Sequence, residues 1–430
     1  MSEPTVHYVV DAPNTEVAVF ELALRVGMPF VLHRSASSVP RSAFVAQLAA
    51  ADVARAASLL TYEHEQHLGD PQRDALGRVA PEHAPLGAEL FDPPLERIAE
   101  NVVLQLASQG VPIEARRHPW GAGKYAMVLT HDVDGPRLLI AFALARAAFL
   151  GILRGNRHEL DSALDGAGAL LFGKRRDPYW NFDAWRELAR ELGAKSAFYF
   201  YCGPTPAAGR HARDPRYDIA KPRFAKLLRQ LAAEDWETGV HFGIHADSAQ
   251  ALAEARERLT KISGRAALGG RAHYWALDWR DMLGAWQRIE RAGFTYDTSV
   301  SPQRVGWRGG TMLPTTPSAF WRGFDGEPFV VMPTALMDAY LVKFTSFDQA
   351  TQSARVAAVL ERVRKPGGLL VLDWHVRAGH NQGAFTGFMD ALWPVIAAAR
   401  NDSACRWLGP AEAAAEWRAH VRTLFRGIEG

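Results

Sequence analysis

From residue 125 onward, short apolar runs alternate with amphipathic stretches. The runs YAMVLTHDV (125–133), KSAFYFYC (195–202), TGVHFGI (238–244), AALGGRAHYW (266–275), FTYDTSV (294–300), FVVMPTAL (329–336) and GGLLVLDWHV (367–376) have the length and aromatic or β-branched content of buried strands. Between them DAWRELARELG, PRFAKLLRQLAAEDW, DSAQALAEARERLTKISG and DWRDMLGAWQRIERAG repeat apolar residues at helical spacing. Asp247, followed at the N3 position by Gln250, predicts the start of the third helix. Gly293 predicts the stop of the fourth. Seven strands alternating with helices predict an α/β domain built on a parallel, barrel-like sheet. In such barrels chemistry collects where the strands end, at their C-terminal side.

The flanks read differently. Residues 1–118 read as an N-terminal α/β domain of unknown role, with strands at TVHYVV and PFVLHR and a closing helix at PPLERIAENVVLQLASQG. Its TYEHEQH stretch holds His64 and His67, for which a solvated helix face is a better reading than a metal site. PWGAGK (119–124) is a turn-rich linker into the barrel, which spans 119–424. Residues 136–178 are too long for an ordinary strand-to-helix connection and predict a helical insertion. Its apolar run, Leu138 to Leu153, is interrupted by Arg146 and is shorter than the roughly 20 residues of a spanning helix. A lid packed on the barrel is one reading; an interfacial helix at 138–154 in peripheral contact with a membrane is the other.

Composition narrows the function classes. A chain of 430 residues, 48% apolar and 22% charged, is a soluble globular protein too long for one small core. A net charge of +2 gives no reason to expect nucleic acid as a partner. Two cysteines cannot form a disulfide framework, and MSEPTVHYVVDAPN lacks a signal-peptide pattern, so a cytoplasmic location is expected, peripheral to the membrane if the interfacial reading holds. Thirteen tryptophans suit core packing, with sugar stacking in reserve. Nothing here sets the oligomeric state.

Four segments carry candidate chemistry. In Thr130-His131-Asp132-Val133-Asp134 the two carboxylates share one strand face and repel unless a cation or shared proton compensates. In Gly239-Val240-His241-Phe242-Gly243-Ile244-His245 two imidazoles end a strand; with one carboxylate they match the three protein ligands of a catalytic zinc site. In Arg271-Ala272-His273-Tyr274-Trp275 the arginine could hold Asp132 ionised and oriented. In Leu372-Asp373-Trp374-His375 the histidine could protonate a leaving amine. Asp297 in YDTSV and Asp338 in PTALMD are both candidates to orient His375.

Taken in order, LTHDVD, DPYWNFD, GVHFGIH, GGRAHYW, GFTYD and VLDWHV resemble the polysaccharide deacetylases, carbohydrate esterase family four, and within it a subgroup that reads LTHDVD. The resemblance covers residues 119–400 and leaves the first 118 outside. It implies a distorted (β/α)7 barrel of the polysaccharide deacetylase type, with an N-terminal α/β appendage. It also implies one divalent metal ion, zinc first, with cobalt, nickel or iron as alternatives. By resemblance Asp132 is the base, Asp134, His241 and His245 the metal ligands, Arg271 the residue that orients the base, and His375 the acid. Tyr274 stands where a backbone oxyanion donor is expected, and His273, Trp275 and Trp374 stand as substrate contacts beside it. The family's adjacent aspartates are here separated by Val133, and the proline of its arginine motif is His273. The function implied is removal of an N-acetyl group from an amino sugar in a glycan or glycan precursor. The alternatives are a hydrolase of a non-sugar amide, cyclic or formyl, and an inactive glycan-binding module.

Overall fold

A computed structural model describes residues 4–10, 15–139, 141–171, 177–203, 213–244, 246–344 and 348–429. It is an α/β protein built on two sheets. Three N-terminal strands, β1 (Val6–Val9), β2 (Phe30–His33) and β3 (Phe44–Ala46), precede the barrel. The barrel strands are β4 (Tyr125–Val133), β5 (Ala197–Tyr201), β6 (Glu237–Phe242), β7 (Gly269–Ala272), β8 (Tyr296–Asp297), β9 (Val330–Val331), β10 (Thr334–Met337) and β11 (Leu369–Asp373). Two more follow, β12 (Cys405–Leu408) and β13 (Phe425–Glu429).

The larger sheet is parallel, in the order β10-β11-β4-β5-β6-β7-β8-β9, and is a curled, distorted barrel. Its two end strands, β9 and β10, are consecutive in the chain, so Met332 and Pro333 join the ends covalently rather than by a hydrogen-bonded ladder. The Met332 and Thr334 amides continue the pairing with β8 and the segment after it, donating to Asp297 and Val300 at 2.9 and 2.7 Å. The expected strand over 329–336 is therefore two short strands. Proline supplies no ladder donor and breaks the run. β4 has the longest ladder: β12 pairs with its first half and β5 with its second, while β11 runs along the other edge. The third helix starts one residue later than expected, at Ala249, because Ser248 and not Asp247 accepts the Ala251 amide.

Strand alternation fills the barrel with polar side chains in layers. Glycine on β6 and β7 makes room: a Cβ at Gly239 would lie 2.6 Å from the Tyr199 ring, and one at Gly269 2.2 Å from Tyr296. These rings occupy the lower barrel, where Tyr296 Oη donates to Glu237 at 2.6 Å. Above them the Arg271 guanidinium lies 5.1 Å from the Tyr199 ring centre. The intervening residues, such as His131 and Trp374, point outward beneath the helices.

The insertion is a helical hairpin, Ala141–Leu153 against Arg157–Leu171. Its helices approach closely at glycine; a Cβ at Gly151 would meet Leu160 at 2.8 Å. Tyr179 Oη donates to Ser162 at 2.8 Å, and His158 meets Phe385 edge-on, so the hairpin is packed beside the barrel mouth. Phe149, Ile152, Leu153, Leu170 and Leu171 remain exposed. Among the described residues no helix is long and apolar enough to cross a membrane.

The smaller sheet, in the order β13-β2-β1-β3, is also parallel. The C-terminal strand thus completes the sheet of the N-terminal segment. Buried ion pairs continue the contact: Arg25 bridges Glu21, Glu96 and Thr311, and Arg308 forks onto Glu65 at 2.6 and 2.9 Å while stacking on Trp279. The expected solvated face at TYEHEQH holds for Glu63, Gln66 and His67, which are exposed, but not for its other side. His64 and Glu65 are buried because Arg308 arrives from the barrel side to neutralise the carboxylate.

Replacing Arg308 by Met should strand the Glu65 carboxylate and cost about 3–5 kcal/mol in urea unfolding at pH 7. Burial alone would raise the pKa of Glu65, but Arg308 more than offsets it and holds the group below its usual 4.5. A depressed folded pKa stabilises above the unfolded value and is lost as pH falls through the folded one. The gap between wild type and variant should therefore narrow in acid; a gap independent of pH would contradict the assignment.

Candidate metal and hydrolytic site

The ends of β4, β6, β7 and β11 converge on one cavity of about 160 Å³. Its floor holds Asp132, Asp134, His241, His273 and His375, and its walls include Tyr274, Trp275, Tyr340, Phe385, Lys343 and Arg377. Asp132 lies on the inner face of β4 and Asp134 just beyond its end. His241 sits on the inner face of β6, in register with Arg271 on β7. His273 and His375 follow the last residues of β7 and β11.

Asp134 is the hub. Its Oδ1 is 3.1 Å from His241 Nε2 and 3.6 Å from His273 Nε2; its Oδ2 is 3.1 Å from His375 Nε2. Asp134 Oδ1 and His241 Nε2 are buried and neither makes a hydrogen bond, although they face each other. The remaining ring nitrogens are spoken for. His241 Nδ1 is 3.0 Å from the Arg271 carbonyl, and His273 Nδ1 is 2.9 Å from Asp214 Oδ1. Those contacts aim both Nε2 atoms at Asp134. One atom from each of Asp134, His241 and His273 lies within 4.8 Å of the others, a donor set of one carboxylate and two imidazoles that suits a borderline cation such as zinc. A second group, Asp132, Asp373 and His375, is equally close, but Arg271 already lies 3.0 Å from both carboxylates and opposes a second cation there. The residues therefore fit a metal at the first group.

Charge is distributed unequally over the floor. Burial raises the pKa of Asp134, but His273, His375 and His241 outweigh it and hold the carboxyl well below its usual range. Burial lowers that of His375, and Asp338 and Asp134 drive it well above 6.5. Asp132 and Asp373 share one guanidinium. Asp132 also faces His241 and stays ionised. Asp373 has no hydrogen-bond donor on either oxygen, and burial pushes its pKa well up, so it keeps its proton.

The expected residues separate into groups. Asp132, Asp134, His241, Arg271, His273, Tyr274, Trp275, Asp338 and His375 come together at or beneath the cavity. Of the two candidate partners of His375 the structure selects Asp338, which receives its Nδ1 at 2.9 Å and its backbone amide at 2.8 Å. Asp297 lies elsewhere: it is fully buried and accepts from Ser299 and Trp286, with its pKa raised to about 6 by burial. Trp374 is also displaced from its expected role as a substrate contact. Alternation on β11 turns it outward, and its indole N–H donates to Phe388. His245, the expected third ligand, lies outside the described residues. His273, expected to touch substrate, faces Asp134 instead.

Three contributors were not anticipated. Asp214 orients His273 from a loop with no strand pattern and also accepts the Ile244 amide, so only the fold reveals it. Asp373 could have been found by counting two residues back from His375 along β11. Arg78, from the N-terminal segment, donates to the carbonyl of Tyr274 at the cavity lip. There Tyr274 and Trp275 both adopt left-handed backbone, each at φ 56°, a strained turn for non-glycine residues.

No protein-family model matches the chain, and no curated protein matches it. Among solved structures it is similar to a probable polysaccharide deacetylase from Pseudomonas aeruginosa PAO1, at 15% identity over 70% of this chain and 94% of that one, with a TM-score of 0.44. It is likewise similar to the Puue allantoinase, at 17% identity over 70% and 93% of the two chains, with a TM-score of 0.45.

Because Asp373 is held protonated, Asp373→Asn should leave the fold intact and be at least as stable as wild type at pH 7. The sign follows from linkage: an acid with a raised folded pKa contributes fully below its unfolded value of 3.8, and that contribution is lost as pH rises through the folded value. The advantage of the variant should vanish below about pH 4. Urea unfolding at both pH values checks this; a variant clearly less stable at pH 7 would show that Asp373 is an ionised partner of Arg271.

Proposed function

We propose that this chain is a metal-dependent amide hydrolase that removes the N-acetyl group of an amino sugar. The observation that carries the reading is the convergence of unpartnered Asp134 Oδ1 and His241 Nε2 with His273 Nε2, beside a His375–Asp338 pair. Asp134, His241 and His273 would hold the ion, with Asp214 orienting His273. The ion would supply Lewis-acid polarisation of the acyl carbonyl and a lowered pKa for the attacking water.

The chain's own groups do the rest. Asp132, ionised and fixed by Arg271 at 3.0 Å, takes the proton of the attacking water. The Tyr274 backbone N–H is the candidate donor to the oxygen that gains charge. His375, held in its cationic form by Asp338, gives a proton to the nitrogen as the C–N bond breaks, leaving carboxylic acid and free amine. Tyr274 and Tyr340 offer aromatic faces on which a sugar ring can stack. That wall favours a sugar amine over a small cyclic amide.

His273→Ala should lose stoichiometric metal, and Asp214→Asn should weaken metal affinity about 10–100-fold in a chelator competition. Asp132→Asn and His375→Ala should keep the metal and lose about 10²–10⁴-fold in turnover. Acetate release from N-acetylated glycans, compared with release from small cyclic and formyl amides, tests the substrate class. A metal-replete preparation without stoichiometric ion, or full activity in Asp132→Asn, would overturn the reading.

A further inference from the structure

The cavity floor accounts for bond cleavage but leaves two cations on the wall unexplained. Lys343 follows the short helix Asp338–Val342, and Arg377 lies in the turn Val376–His380. Both line the cavity. Each therefore stands just beyond a member of the acid pair, Lys343 beyond Asp338 and Arg377 beyond His375. That is the side from which the amine departs.

Neither cation has a carboxylate to itself, as Arg308 has Glu65. Lys343 is exposed at the cavity mouth and has no ion pair among the described residues. Arg377 reaches Asp134 Oδ2 at 3.4 Å, a carboxylate already shared with three histidines, and its buried Nε has no hydrogen-bond partner. The two charges feel each other: burial and then Arg377 lower the pKa of Lys343, with Glu159 acting weakly in opposition. His158, on the hairpin side of the same cavity, is lowered to about 4 by burial, Lys343 and Arg377, against its bond to the Ala384 backbone and Asp161. Like charges in a partly enclosed cleft focus a positive potential and concentrate anions there.

We propose that Lys343 and Arg377 form an anion subsite for a phosphate group on the amine half of the substrate. The substrate class is then a phosphorylated N-acyl amino sugar rather than a neutral polymer. This rests on the hydrolase reading above. The phosphate can belong to a nucleotide-activated sugar or to a lipid carrier; the recognising chemistry is the same.

The test is calorimetric binding to the metal-loaded full chain, with acetate release read in parallel. N-acetylglucosamine 1-phosphate should bind at least about tenfold tighter than N-acetylglucosamine, the effect of roughly one charge pair in a cleft. Lys343→Ala should sharply reduce that preference without changing the affinity for the neutral sugar, and Lys343→Arg should restore it. An undiminished preference in Lys343→Ala would overturn the subsite. Absence of any preference in wild type would overturn it equally. Acetate release without phosphate preference sinks the subsite and spares the hydrolase reading; Lys343-dependent phosphate binding without release does the opposite. Repeating the series with a nucleoside-diphosphate sugar and with a lipid-phosphate sugar in detergent micelles identifies the carrier, as the one whose KM rises more in Lys343→Ala.

Discussion

The structure turns on one buried guanidinium. Arg271 has no solvent exposure, and its NH1 stands 3.0 Å from both Asp132 and Asp373. Its NH2 donates to Thr334 at the start of β10 and its Nε to the Thr298 carbonyl just past β8, so it also braces the place where the sheet curls back on itself. A charge in this position survives only because carboxylates and carbonyls surround it, and those carboxylates are tolerable only because it is there. One side chain thereby braces the barrel and, with His241, keeps the candidate base ionised, while burial pushes the Asp373 carboxyl up against its pull.

Everything above Arg271 follows from that layer. Glycines in β6 and β7 admit Tyr199 and Tyr296 below it, which lifts Arg271 to the level where β4 and β11 present Asp132 and Asp373. The next inward positions on the same strands, or just past their ends, are Asp134, His273 and His375. Two of these histidines have a carboxylate behind the ring nitrogen that faces away from Asp134: Asp214 for His273, Asp338 for His375. The pairing has different consequences. Asp214 leaves His273 with one nitrogen aimed at the hub, in the manner of a metal ligand supported from behind. Asp338 instead adds its charge to that of Asp134 and keeps His375 cationic.

The N-terminal segment is part of this construction rather than a passenger. β13 completes its sheet, Arg308 pairs with Glu65 across the junction, Arg25 donates to Thr311 across it, and Arg78 holds the strained Tyr274–Trp275 turn from outside. A backbone turn with two consecutive left-handed residues is costly, of order 1–3 kcal/mol each, and persists where neighbours over-determine it. Arg78 is one of those neighbours, so the first 118 residues shape the lip of a cavity whose floor comes from the barrel.

The sequence by itself determined the strand–helix alternation, the parallel sheet and the set of polar residues at strand ends, because a period of two and a period of 3.6 are written in the order of apolar residues. It also marked Asp132, Asp134, His241, Arg271 and His375, since i and i+2 on a strand must share a face. Partnership was decided only by the fold. Asp338 and not Asp297 meets His375, because the chain runs on from β9 through Pro333 into β10, which pairs with β11 and ends at Asp338. His273 faces Asp134 because a left-handed turn follows it and Asp214, from a loop without periodicity, fixes its ring. Trp374 turns outward and Arg78 arrives from far along the chain. Contacts of this kind depend on distances between segments remote in sequence, which no local pattern encodes.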